Sequence, residues 1–126
     1  MTVADQDIQT IQNVCKAMQA GAEGEELMLS LFADDGVLVE PFTGKPTEHV
    51  GKAAIRENYR AATSAPRSPD FKLSLGQIST DGTHVFADWT CTSSGMPGPL
   101  HGRDEYTLRD GKIERLEIRI TGSPVA

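Results

Sequence analysis

The run HGRDEYTLRDGKIERLEIRI, residues 101–120, alternates with a period of two on both sides of Asp110-Gly111. Successive side chains of a strand point to opposite faces, so Asp104, Tyr106 and Leu108 share one face. Arg103, Glu105, Thr107 and Arg109 share the other, which is plainly the solvent face. Asp104 is therefore directed inward. Beyond the Asp-Gly pair, a strong signal for a two-residue hairpin, Leu116, Ile118 and Ile120 share one parity against Arg115, Glu117 and Arg119. Residues 101–109 and 112–121 are thus expected to form a hairpin with one apolar face.

Working back along the chain, residues 71–80 and 83–93 are β-rich and meet at Asp81-Gly82, the same hairpin dipeptide. Val85, Ala87, Trp89 and Cys91 share a parity there. The first third is helical: Ile8, Ile11, Val14 and Met18 recur at three- and four-residue spacing, and Gly21 is a natural stop. A short helix is expected over residues 25–32, with Leu27, Met28 and Leu31 on one side. Asp34-Asp35-Gly36 is expected to turn the chain into a short strand, 36–40, closed by Pro41, which lacks a backbone donor. PFTGKPTEHVG (41–51) reads as a loop. Residues 52–63 read as a helix with Ala54, Ile55, Tyr59 and Ala62 on one face, ended by Pro66 and Pro69. Helices followed by an antiparallel meander are the α+β pattern. One domain over residues 1–126 is expected, its N-terminal helices packed on a curved antiparallel sheet around a cone-shaped interior.

Composition narrows the function. The 126 residues carry 12 Lys and Arg against 18 Asp and Glu, a net charge of −6. No basic footprint is available to neutralise phosphates, so nucleic acids and anionic membrane surfaces are not expected partners. Cys15 and Cys91 lie 76 positions apart, with no metal-ligand spacing. The N-terminus MTVADQDIQTIQ has neither the basic start nor the apolar run of a signal peptide. No stretch approaches the ~18 apolar residues of a membrane span. A soluble, cytoplasmic protein is the expectation.

Two acids stand out. An inward Asp104 is costly unless paired, hydrogen-bonded or protonated, and desolvation would raise its pKa. The plainer alternative is a strand-end acid that leans to solvent or accepts backbone hydrogen bonds. Glu40 ends the run Val37-Leu38-Val39 directly before Pro41. Alternation groups it with Leu38, but so short a strand does not fix its parity, and a surface acid before a turn is the alternative. Two carboxyls at the mouth of one apolar cavity can be driven to different pKa values, one a base and one a neutral donor. Trp89 beside Ala87 either shapes a pocket or simply packs the core. His49, His84 and His101 are scattered without metal-ligand spacing and read as solvent-facing.

LFADDGVLVEPF (31–42) followed by GKAAIRENY (51–59) resembles the signature of the nuclear transport factor 2-like superfamily, in the branch containing ketosteroid isomerase and SnoaL-like polyketide cyclases. RDEYTLRDGKIERLEIRI (103–120) is similar to that family's closing hairpin, and the likeness extends from Ile8 to Ile120. The resemblance implies a nuclear transport factor 2-like, or cystatin-like, fold: a helix-backed, strongly bent sheet with a conical pocket, usually in a homodimer. It also implies roles. Glu40 falls where the isomerases carry an Asp general base, directly before Pro, and is one methylene longer. Asp104 falls at their protonated Asp of the oxyanion hole, two residues before an inward aromatic, here Tyr106. This pairing comes from the resemblance, whereas the inward direction of Asp104 comes from strand parity alone. The isomerases' oxyanion-hole tyrosine corresponds to Val14. Losing such a preorganised donor costs about 2.7–4 kcal/mol of transition-state stabilisation, which speaks against efficient steroid isomerisation. Tyr59 is the one alternative hydroxyl, from the third helix.

The resulting expectation is a cofactor-independent isomerase or cyclase acting on a small, mostly apolar carbonyl compound. Glu40 would remove a proton α to the carbonyl while Asp104 donates a hydrogen bond to the enolate oxygen. The helices would give the wall Val14, Met18, Ile55 and Tyr59. The sheet would give it Val85, Ala87 and Trp89, then Tyr106, then Leu116, Ile118 and Ile120. A competing reading is a non-catalytic protein that binds a hydrophobic ligand or serves as a dimeric scaffold, and Val14 favours it. A weaker one is an epoxide-type hydrolase, for which Arg103 next to Asp104 has the wrong parity.

Overall fold

Apolar spacing winds Asp5–Ala20 into helix α1, whose inner face buries Ile11, Val14 and Ala17. Gly21 ends it at φ +68°, a conformation that favours glycine. The computed structural model describes residues 2–123, so Met1 and residues 124–126 lie outside the described residues. A 3₁₀ turn (Gly21–Gly24) leads into α2 (Glu25–Leu31) and then strand β1 (Phe32–Glu40). Strand β2 (Thr47–Val50), helix α3 (Lys52–Thr63) and strands β3 (Lys72–Thr80), β4 (Val85–Thr92), β5 (Leu100–Arg109) and β6 (Lys112–Gly122) follow. None of the described helices is long and apolar enough to cross a membrane.

Four sequence expectations are corrected, three of them around β1 and the fourth at the β3–β4 loop. Asp34, Asp35 and Gly36 do not turn the chain. β1 runs through them, and its register with β6 shifts between Phe32 and Val37. Gly36 suits that irregularity, because a Cβ would meet the Ala33 and Ile113 carbonyl oxygens and the Phe32 ring, each at 3.0 Å. The expected loop 41–51 contains β2, which pairs antiparallel with the end of β1, Leu38 opposite His49 and Glu40 opposite Thr47. As an edge strand with partly exposed side chains it carries no apolar alternation to betray it. The sheet is also not wholly antiparallel. β1 lies parallel to β6, with Leu38 opposite Leu116, giving the order β2-β1-β6-β5-β4-β3. The sheet stays open at β2 and β3.

The β5–β6 connection is the expected two-residue turn, with Asp110 at φ 52° and Gly111 at φ 74°. Thr10 Oγ1 donates to the Gly111 carbonyl at 2.7 Å and ties α1 to that turn. The β3–β4 loop is longer than expected. Asp81 Oδ1 accepts the Thr83 and His84 amides at 2.8 and 2.7 Å, closing a four-residue connection between Thr80 and Val85. Register shifts between His101 and Gly102, and between Thr107 and Leu108, mark where β5 bends against β6, as bulges increase local twist. Ile11, Phe32, Ile55, Tyr106, Ile113 and Leu116 are the large side chains buried completely between helices and sheet. The opposite face of the sheet carries ion pairs, among them Arg103–Asp88 at 2.7 Å and Arg119–Glu105 at 2.9 Å. Arg103 therefore faces away from Asp104.

Candidate active site

The helices cover the sheet incompletely, leaving a cavity of about 550 Å³. Its apolar wall includes Val14 and Met18 from α1, Ile55 and Tyr59 from α3, and Trp89, Tyr106, Leu116 and Ile118 from the sheet. Three expected wall residues are not there. Val85 and Ala87 have the inward parity and are buried, but neither lines this cavity: Ala87 packs within the core, and Val85 borders a separate hollow beside Val3 and Leu108. Ile120 lies opposite Gly102 near the end of β6 and is 36% exposed, because the strand has run past the helix layer. Parity fixes the face of a strand and says nothing of the depth at which the hollow begins.

Both acids open into this cavity. Asp104 keeps only 9% of its surface exposed. Its Oδ1 accepts the Trp89 indole N–H at 2.9 Å, and its Oδ2 has a single long contact, from the Tyr106 hydroxyl at 3.4 Å. Burial pushes its pKa up to about 7, against the opposing pull of the Trp89 and Tyr106 hydrogen bonds. Near neutrality this acid can therefore be uncharged, and its proton belongs on Oδ2, the oxygen the indole leaves free. The same burial, reinforced by Asp104, raises the Tyr106 hydroxyl well above its ordinary range.

Glycine makes the indole contact possible. Gly102 lies directly opposite Trp89 across the β4–β5 ladder. A Cβ there would sit 2.1 Å from Cζ2 and 2.7 Å from Nε1 of the indole, so the ring lies over bare backbone. Gly102→Ala is expected to displace the indole, unmake the bond to Asp104 and cost about 1–3 kcal/mol through overpacking. Urea denaturation, with the emission maximum of the sole tryptophan, checks this. An unchanged spectrum and midpoint would mean that Gly102 has no hold on Trp89.

Glu40 is 2% exposed and held from three sides. Oε1 accepts the Phe42 amide at 2.8 Å, while Oε2 lies 2.8 Å from His49 Nε2 and 3.4 Å from Asn58 Nδ2. An ionised carboxylate only accepts, so beside it His49 carries its proton on Nε2. His49 is thus not the solvent-facing loop residue expected from sequence. His84 is half-buried near Asp81, and His101 is exposed.

Tyr59 is corrected as a hydroxyl source. Its OH lies 2.8 Å from the Ala17 carbonyl and 2.6 Å from that of Gly21, so it is committed to backbone acceptors, and only its ring serves the cavity. Asn58 was missed although the pattern holds it: Ile55, Asn58, Tyr59 and Ala62 follow i, i+3, i+4, i+7 on one helical face. Arg67 also lines the cavity. It stands in a proline-rich loop where no periodicity could have pointed to it. Among the described residues no group of three His, Cys, Asp or Glu side chains is arranged to hold a metal ion.

Residues 11–116 match the family model of the SnoaL-like domain. No curated protein matches the chain. A structure described as a candidate ketosteroid isomerase from Kribbella flavida DSM 17836 gives a TM-score of 0.69 at 17% identity, covering 94% of this chain and 80% of that one. A candidate SnoaL-like polyketide cyclase from Jannaschia sp. CCS1 gives 0.74 at 10% identity, covering 96% and 91%. A de novo designed protein with a curved β-sheet gives 0.71 at 16% identity, covering 94% and 88%. At such identities the likeness is one of fold. The designed chain illustrates why, since an architecture of this kind can be specified without any inherited reaction.

Proposed function

Since the chain belongs to the SnoaL-like domain family of the nuclear transport factor 2-like superfamily, we propose that it is a small-molecule enzyme transferring a proton α to a carbonyl, in an isomerisation or cyclisation. The observation that carries this reading is the pair of dissimilar carboxyls on one apolar wall, Glu40 held by three donors and Asp104 desolvated toward neutrality. The substrate is a small, largely apolar carbonyl compound.

In this reading Glu40 takes the α-proton. Phe42, His49 and Asn58 fix its oxygens, so the base needs no reorganisation before it acts. As the α-carbon loses its proton, charge moves to the carbonyl oxygen, which sits at Asp104 Oδ2 and accepts a hydrogen bond from the neutral acid. Trp89 holds the other oxygen and so aims the donor. Glu40 then returns the proton to another carbon of the delocalised system. Val14 supplies no second donor at the wall, and Tyr59 spends its hydroxyl on α1. A hole built on one acid therefore suits substrates whose α-protons are already acidic. The same two residues favour the second reading, a binding protein without chemistry.

Deuterium exchange decides between them. 2-Tetralone, a bicyclic ketone with acidic α-protons, is incubated with the protein in D₂O and followed by NMR. Exchange above the buffer rate is expected, and its enzymatic part should fall as pH rises through about 7, where Asp104 ionises and stops donating. Exchange at the buffer rate between about pH 6 and pH 8 would leave only the binding reading.

A further inference from the structure

Seven arginines stand in this sequence, and six of them meet a carboxylate. Arg56 and Arg60 pair with Glu25, Arg103 with Asp88, and Arg109 with Glu114. Arg115 pairs with Glu48 and Glu117, and Arg119 with Glu105 and Glu117. Arg67 alone has no carboxylate within ion-pair distance among the described residues. Among the described residues it is also the one cationic side chain on the wall of the cavity.

Its position is built. Arg67 follows Pro66 in the connection between α3 and β3, and its guanidinium lies over the Phe71 ring, 4.1 Å from the centroid. Nη1 donates to the Met18 carbonyl at the end of α1. These contacts set the plane of the group and use one of its five N–H donors. The side chain is half-buried and both anchors, Phe71 and Met18, belong to the cavity wall. Its charge acts on Tyr59 and Cys91, whereas the groups acting on Asp104 are Trp89 and Tyr106. The cation and the neutral acid thus have separate sets of contacts on the wall of one hollow.

A planar guanidinium with free donors, held at the edge of an apolar space and lacking a counter-ion, matches a planar oxyanion. We propose that Arg67 is an anion-binding subsite of this cavity and that the ligand carries a carboxylate on an apolar, ring-sized body. The proposal rests on the cavity being the ligand site, as argued above, and names the class of compound that fills it. The anion also sets direction, placing the carboxylate at Arg67 and the rest of the molecule along the wall shared by Glu40 and Asp104. In a chain of net charge −6 with two acids in the same hollow, an anionic guest has no other cation on the cavity wall to meet.

The test uses two probes of the same shape, 2-naphthoate and 2-naphthamide, titrated into the whole protein by isothermal calorimetry at about pH 8, where the acid probe is ionised. The carboxylate is expected to bind about tenfold or more tightly than the amide, the range for a charge-assisted hydrogen bond. Arg67→Met should abolish that preference while retaining the amide's affinity, and Arg67→Lys should keep part of it, holding the charge without the fork. Equal affinities in the wild type, or a preference that survives Arg67→Met, overturn the subsite, as does failure of both probes to bind. Calorimetry reads binding without turnover. A naphthoate preference in a protein that leaves 2-tetralone unexchanged keeps the subsite and removes the chemistry. Exchange without the preference does the reverse.

Discussion

Asp104→Asn is expected to make the protein more stable and less active. In the unfolded chain this carboxyl titrates near the ordinary aspartate value, whereas burial raises it to about 7 in the folded protein. The folded state therefore holds a proton that the unfolded state has released between these two values. Stability falls as pH rises from about 4 to about 7 and is flat above, because both states are then ionised. The full penalty is about 4 kcal/mol, from roughly three pH units at 1.36 kcal/mol each. Asn has the shape of Asp, can accept the Trp89 N–H and carries no charge to desolvate. The variant should thus match the wild type near pH 4 and exceed it by up to about 4 kcal/mol at pH 8, read from urea denaturation at the two values. A wild type equally stable at both would mean that Asp104 is not desolvated. The same substitution replaces an acidic O–H donor with a weaker amide and should slow 2-tetralone exchange about 10²-fold at pH 6. Gain and loss from one atom exchange would identify a group kept at the expense of the fold.

Glu40→Gln is expected to have the larger kinetic effect. Removing a positioned general base typically costs about 10²–10⁴ in rate. The amide retains the volume, and its oxygen can still accept the Phe42 N–H. Its nitrogen then faces His49 Nε2, which must change tautomer to accept, so the local bonds can be remade without the basic lone pairs. The exchange rate should drop by that factor while calorimetric binding of 2-naphthamide persists. Exchange at the wild-type rate would take Glu40 out of the reaction and leave its three hydrogen bonds as a structural arrangement.

Period-two counting placed Asp104 inside from residues 101–109 alone, and apolar spacing bounded α3 at residues 52–63. Those features are local, so a local pattern carries them. The parallel pairing of β1 with β6 joins strands some eighty positions apart, and no spacing within either announces it. Val85, Ala87 and Ile120 failed as wall residues for a related reason: the hollow is bounded by how far the helices reach across the sheet, a property of several elements at once. His49 reaches Glu40 only because an unremarkable edge strand folds back beside β1. Arg67 is set by its Phe71 and Met18 contacts, not by any period. The direction of Asp104 and the fold class were legible; the direction of Glu40 and the shell that holds both acids were not.

The Tyr59 hydroxyl, set between the carbonyls of Ala17 and Gly21, has a bearing on traffic. It rivets the third helix to the tail of the first, and Gly24 packs so tightly behind it that a methyl group would overlap the Ala17 oxygen. The roof is closed along that seam, and parting those two helices would strand buried carbonyls. A guest must come in elsewhere. Phe42, 60% exposed yet part of the lining, gives the cavity an apolar rim toward solvent. A molecule entering at that rim would pass Glu40, two residues away in sequence, before it reached Asp104.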